Sequence, residues 1–202
     1  MALTPTKLLD AVNTCLAAVG ESPVSTTVNV QSVAVVLALQ FIEERSRALQ
    51  ARSWKFNSDY DYLMGRDNDN KIAVPLNAVR IDSTREFAIY DIVVRGAFLY
   101  DRTLKQYTFD RSIKVDITWM FDFEELPQHA RWYITVEAAR SLQARILNSR
   151  ELGQYTEEDA QKAAIAFHEA EDETADFNVF RDSYSVNSML VRSPTTHMFD
   201  LY

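Results

Sequence analysis

Residues 123–134 read FEELPQHARWYI, and the fold turns on how this stretch is read. It holds Glu124 and Glu125, a proline, a histidine, an arginine and two aromatic residues. Those are the residue types of an acid/base site or a sugar-binding cleft. They also suit a passage from strand to helix, because carboxylates just before a helix offset its exposed N–H groups and macrodipole. The flanks favour the passage. Upstream, Ile113, Val115, Ile117 and Trp119 alternate with Lys114, Asp116 and Thr118, the period of a half-buried strand. Downstream, Trp132, Val136, Ala139, Leu142 and Ile146 recur at helical spacing and predict a buried stripe after Pro127, with His129 on the surface of the first turn.

Working outward toward the N-terminus, residues 54–121 consist of short β-rich pieces between polar breakers. Arg95-Gly96, between VV and AFLY, predicts a tight hairpin with Gly96 at positive φ. Before this unit, Thr4-Pro5 has the chemistry of a helix start, Leu9, Val12, Leu16 and Val19 form an apolar stripe, and Gly20 supplies a stop. A second helix is expected from about Val30 to Arg52. Its first half is apolar on nearly every side, which implies burial on two faces. Toward the C-terminus, NSRELGQY predicts a break, and Thr156 with Asp159 resembles a capping box. The following helix carries Ala160, Ala163, Phe167, Ala170, Thr174 and Phe177 on one face. Glu169, Glu171, Asp172, Glu173 and Asp176 lie on the other. The fold class expected is α+β: a bundle of about four helices (1–53 and 122–183), an inserted small antiparallel β domain (54–121) and an extended C-terminal tail (184–202).

The 202 residues are 47% hydrophobic and carry a net charge of −8. Disorder throughout is excluded, and tight non-specific binding to phosphate backbones is disfavoured. Cys15, the single cysteine, has no partner for an internal disulfide and is expected to be a packed small hydrophobe. MALTPTKLLD has no charged and apolar leader pattern, and SVAVVLALQFI is about half of a membrane span. A soluble protein made in the cytoplasm, without membrane insertion, is the expectation.

The four glycines are too dispersed for a phosphate-binding loop. His129, His168 and His197 lie far apart without a cysteine pair, so neither a metal nor another cofactor is expected. HEAED (168–172) begins like a zinc-protease helix, but Asp172 stands where the second histidine would be. A polysaccharide hydrolase using Glu124 or Glu125 beside Trp119, Trp132 and Tyr133 is the alternative enzymatic reading. Arg45, Arg47, Arg52 and Lys55 form a local basic patch that a helix C-terminus also favours.

Four stretches in order resemble the tail tubular protein A family, the head-to-tail adaptor of short-tailed bacteriophages. They are AVNTCLAAVGESPVST (11–26), LQARSWKFN (49–57), RGAFLYDRTLKQYTFDRSIKVDI (95–117) and FEELPQHARWYITVEAAR (123–140). The resemblance implies a non-enzymatic virion protein in a twelve-subunit ring that links portal to nozzle and passes double-stranded DNA without reading its sequence. It implies as partners the portal protein, tail tubular protein B (the nozzle) and tail fibre protein. On that reading Val33, Val36 and Leu37 are candidate subunit contacts. Leu190, Val191, Arg192, Phe199, Leu201 and Tyr202 are candidates for docking on the portal or a neighbouring subunit. Arg95, Gly96, Tyr100, Asp101 and Arg102 are candidates for the nozzle- or fibre-facing surface.

Overall fold

The computed structural model describes residues 4–28, 32–147 and 150–174. The chain is an α+β protein with the order α1 (Leu8–Ala18), α2 (Val33–Gln50), β1 (Ser58–Met64), β2 (Ala78–Ser83), β3 (Ile92–Arg95), β4 (Phe98–Asp101), β5 (Ile113–Trp119), α3 (Gln128–Ile146) and α4 (Arg150–Thr174).

α1 starts three residues later than Thr4-Pro5 predicts. The groups around Thr6 are already taken: its N–H donates to Gln128 Oε1 at 2.7 Å and its carbonyl accepts from Arg131 Nη1 at 2.9 Å. The helix therefore opens at Lys7, whose N–H donates to Asp10 Oδ2 at 3.1 Å. Gly20 ends it as expected. At φ +77° it lets its own N–H reach Ala17 O, and Glu21 N–H reach Leu16 O, the paired bonds that close a helix C-terminus.

α3 is the central helix and packs on α1, α2 and α4. Its buried face is Ala130, Ile134, Thr135, Ala138 and Leu142, and this corrects the expected stripe. Ala139 and Leu142 are buried as expected, but Trp132 is 47% and Ile146 43% exposed. A helix with three neighbours needs small residues where backbones approach, so alanine rather than tryptophan takes the inside. α2 likewise buries Ala34, Val35, Ala38 and Ile42, while Val33 and Val36 remain 72% and 53% exposed. Among the described residues, nothing covers Val33 and Val36 on this second apolar face.

α4 corrects the break predicted around NSRELGQY. It is helical from Arg150, so Thr156 lies inside the helix rather than capping it. Gly153 costs a helix interior about 1 kcal/mol, which the good helix formers around it outweigh. Ala160, Ala163 and Phe167 face inward as expected, and Phe177 falls outside the described residues.

The β elements form a three-stranded antiparallel sheet in the order β1-β5-β2 and a two-stranded hairpin, β3-β4. β5 is the centre, with Ile113, Val115 and Ile117 buried. Thr118 breaks the expected alternation by being buried. Its partner strand carries an irregularity between Ala78 and Arg80, and its hydroxyl lies 2.8 Å from Ser53 Oγ. Gly96 sits at φ +64° in the turn Gly96–Ala97 that joins β3 to β4. Ile72, Ile81, Phe87, Leu99 and Phe109 join β5 in one apolar cluster, separate from the cluster of the helices.

Candidate functional surfaces

Where the chain leaves the helices for the β elements, and where it returns, two buried amides tie the crossings together. Asn57 donates through Nδ2 to Gln50 O at 2.9 Å and to Trp119 O at 3.0 Å, and accepts from Trp54 N–H at 2.9 Å. Gln50 donates to Phe121 O at 3.0 Å, and its Oε1 accepts Phe121 N–H at 2.7 Å. Both side chains are fully buried. Within LQARSWKFN the signal for this joint was two amides flanking a turn next to Trp54, but their partners lie some sixty to seventy residues away and have no local signature.

FEELPQHARWYI sits on the return crossing. Glu124 and Glu125 are both exposed. Glu124 Oε1 accepts Leu8 N–H at 3.5 Å, at the first residue of α1, and Glu125 Oε2 accepts Asp122 N–H at 3.2 Å. Arg131 donates to Leu126 O at 2.6 Å and also bonds Glu124 O. These side chains satisfy main-chain groups and hold the N-terminus of α1 to α3.

His129 is a correction. Instead of lying free on the first turn, its Nε2 is 3.0 Å from Glu171 Oε1. Glu171, expected on the acidic outer face, is 5% exposed and also accepts Lys55 N–H at 2.8 Å. Around this pair, Phe167 touches Trp54, Phe56, Tyr133, His129 and His168. An aromatic clasp therefore joins α4 and α3 to the start of the β elements.

The basic patch divides. Arg47 pairs with Glu43 on the exposed side of α2. Arg45 and Arg52 turn instead toward Tyr133, lining a cavity of about 150 Å³ with Trp54, Glu137 and His168. Burial, with Glu137 adding to it, pushes the Tyr133 phenol above its ordinary range; Arg52, Arg45 and Arg140 oppose the shift. A second groove, between α2 and α3, is lined by Leu37, Phe41, Arg45, Arg140 and Arg145. A third, between α1, α3 and α4, is lined by Trp132, Val136, Ala139, Ala163 and Ala166.

On the hairpin, the Arg95 guanidinium stacks 3.8 Å above the Tyr100 ring, and Arg102 Nη2 is 2.7 Å from Asp91 Oδ1, which holds the arginine firmly charged. Asp101 is buried and accepts Thr103 N–H at 2.8 Å, so it shapes the turn. Leu190, Val191, Arg192, Phe199, Leu201 and Tyr202 lie outside the described residues. Burial pushes the Cys15 thiol up to about 12, and its Sγ sits 3.9 Å from Thr135 O. No described helix is long and apolar enough to cross a membrane.

The buried amides and the carboxylates of the crossings thus tie main chain to main chain, and the grooves lie between helices. The chain belongs to the tail tubular protein family, whose model matches residues 9–177. It is 31% identical over 126 residues to tail tubular protein A of Klebsiella phage KP34, covering 62% of this chain and 66% of that relative. It is a structural component of a phage tail.

Proposed function

We propose that the chain is the ring-forming adaptor between head and tail, linking the portal protein to the tail nozzle and giving DNA its passage during retention and ejection. The observation that carries this reading is family membership over residues 9–177, joined to a relative named tail tubular protein A. The uncovered apolar side of α2 supports it: Val33 and Val36, with Leu37 beside them, offer a surface that a neighbouring subunit in a twelve-membered ring would bury.

In this arrangement the helices (1–53 and 122–183) form the ring and face the portal. The β unit (54–121) points toward the nozzle, tail tubular protein B, and the tail fibres, with Arg95, Tyr100 and Arg102 on that side. The tail (184–202) docks on the portal or the next subunit, and assembly takes place in the host cytoplasm before the protein becomes part of the virion. A net charge of −8 suits a channel wall, because a net-negative surface limits the adhesion of passing phosphates.

Electron microscopy of the full chain mixed with its portal protein tests the reading. A twelve-fold ring beneath the portal is expected; monomers under all conditions would overturn it. Removing residues 184–202 should leave a folded chain that no longer joins the portal.

A further inference from the structure

The groove between α2 and α3 combines an apolar lining with an excess of positive charge, three arginines to the one carboxylate of Glu137. Leu37 and Phe41 line it beside Arg45, Arg140 and Arg145, and Arg45 also lines the adjoining cavity, where Arg52 lies. Arg140 has two carboxylate partners, Glu137 and Glu157. Among the described residues, no carboxylate comes within ion-pair distance of Arg45, Arg52 or Arg145. In a chain of net charge −8, such a groove marks a place for an anionic surface.

The outer side of α4 has that chemistry. Glu169, Asp172 and Glu173 are exposed there at helical spacing, and Ile165, 58% exposed, precedes Glu169 by one turn. Among the described residues, none of the three acids has a cation within ion-pair distance. Glu169 lies about 200° round the helix from the buried Phe167, so it points away from its own bundle. The two surfaces complement each other, and among the described residues no ion pair joins Glu169, Asp172 or Glu173 to the groove within one copy.

We propose that the α2–α3 groove of each copy receives the acidic outer face of α4 from the next copy. Ile165 meets Leu37 and Phe41, and Glu169, Asp172 and Glu173 meet the arginines. The two faces differ, so the contact is head-to-tail, the kind that closes into a ring when the rotation per copy allows. It rests on the adaptor reading and names the subunit contact within it. A protein helix suits the groove better than DNA does, because Leu37, Phe41 and Glu137 offer nothing to a phosphate backbone.

The test uses the full chain in assembled tail particles. Ala144→Cys in the groove combined with Glu169→Cys on α4, treated with a short bis-maleimide, should give a ladder of covalent multimers; either substitution alone should not. Cys15 is buried and stays out of the reaction. A ring seen by electron microscopy without a ladder overturns this contact and leaves the adaptor reading intact, whereas no ring under any condition overturns both. In parallel, Arg45→Glu with Arg145→Glu should reduce ring yield by about tenfold or more, and adding Glu169→Arg and Glu173→Arg on the same chain should restore it. If the arginine variant keeps its rings and instead loses grip on duplex DNA, the groove serves nucleic acid and the proposal is wrong.

Discussion

The central helix α3 and the central strand β5 each organise a core, yet they choose their inward residues by different rules. β5 turns Ile113, Val115 and Ile117 inward and leaves Lys114 and Asp116 partly exposed. α3 buries Ala130 and Ala138 and leaves Trp132 largely outside. A strand has two faces, so its larger apolar residues report the inside directly. A helix packed on three neighbours presents several faces, and close approach selects for small side chains over large ones. Side-chain size therefore indicates the inside of β5 and misleads at Trp132 of α3.

The largest expected effect lies in the aromatic clasp. Phe167→Ala should destabilise the chain by about 4 kcal/mol, the cost of emptying a large, fully buried site, measured by urea denaturation. Hydrogen exchange on the same variant sharpens the comparison: protection should fall in α3 and α4 more than in β5. Equal loss would mean that the two cores unfold as one.

Asn57→Ala should cost about 3 kcal/mol, because it leaves buried main-chain groups of Trp54, Gln50 and Trp119 without partners. Here both cores should lose protection together. A loss confined to one side would break the idea that the buried amides couple them.

Cys15 gives a pH-dependent test of the bundle alone. Its thiol is held neutral in the folded state, about 12 against an ordinary 9.0, so the unfolded chain ionises first as pH rises. The contribution is complete below pH 9.0 and is lost as pH climbs from there toward 12. Wild type should lose stability faster than Cys15→Ala in that window, and the two should run parallel below it.

Trp132→Ala is the smallest. As a surface residue of α3 it should cost under about 1 kcal/mol despite its size. A loss of several kcal/mol would restore Trp132 to the core and undo the contrast with β5.

Much of the architecture could be read from local pattern. The alternation of 113–117, the stop at Gly20, the hairpin at Gly96 and the inward Ala160, Ala163 and Phe167 depend on neighbours in the chain, and they appear where those patterns put them. The misreadings have a common cause. Thr4-Pro5 does not open α1 because α3 takes the groups around Thr6, and Glu171 leaves the acidic face because His129 and the Lys55 N–H need a carboxylate. FEELPQHARWYI was legible as a passage from strand to helix, but not the fact that Glu124 reaches back to Leu8.

By itself, then, the sequence determined the elements, their order and the family resemblance, because periodicity, caps and turn chemistry act over a few residues. Only the tertiary structure decided which face of α3 is inside, which carboxylates are structural, and which arginines lack a carboxylate partner among the described residues. Those outcomes depend on what another element brings close, often from more than a hundred residues away, as when Thr6 meets Gln128 and Arg131.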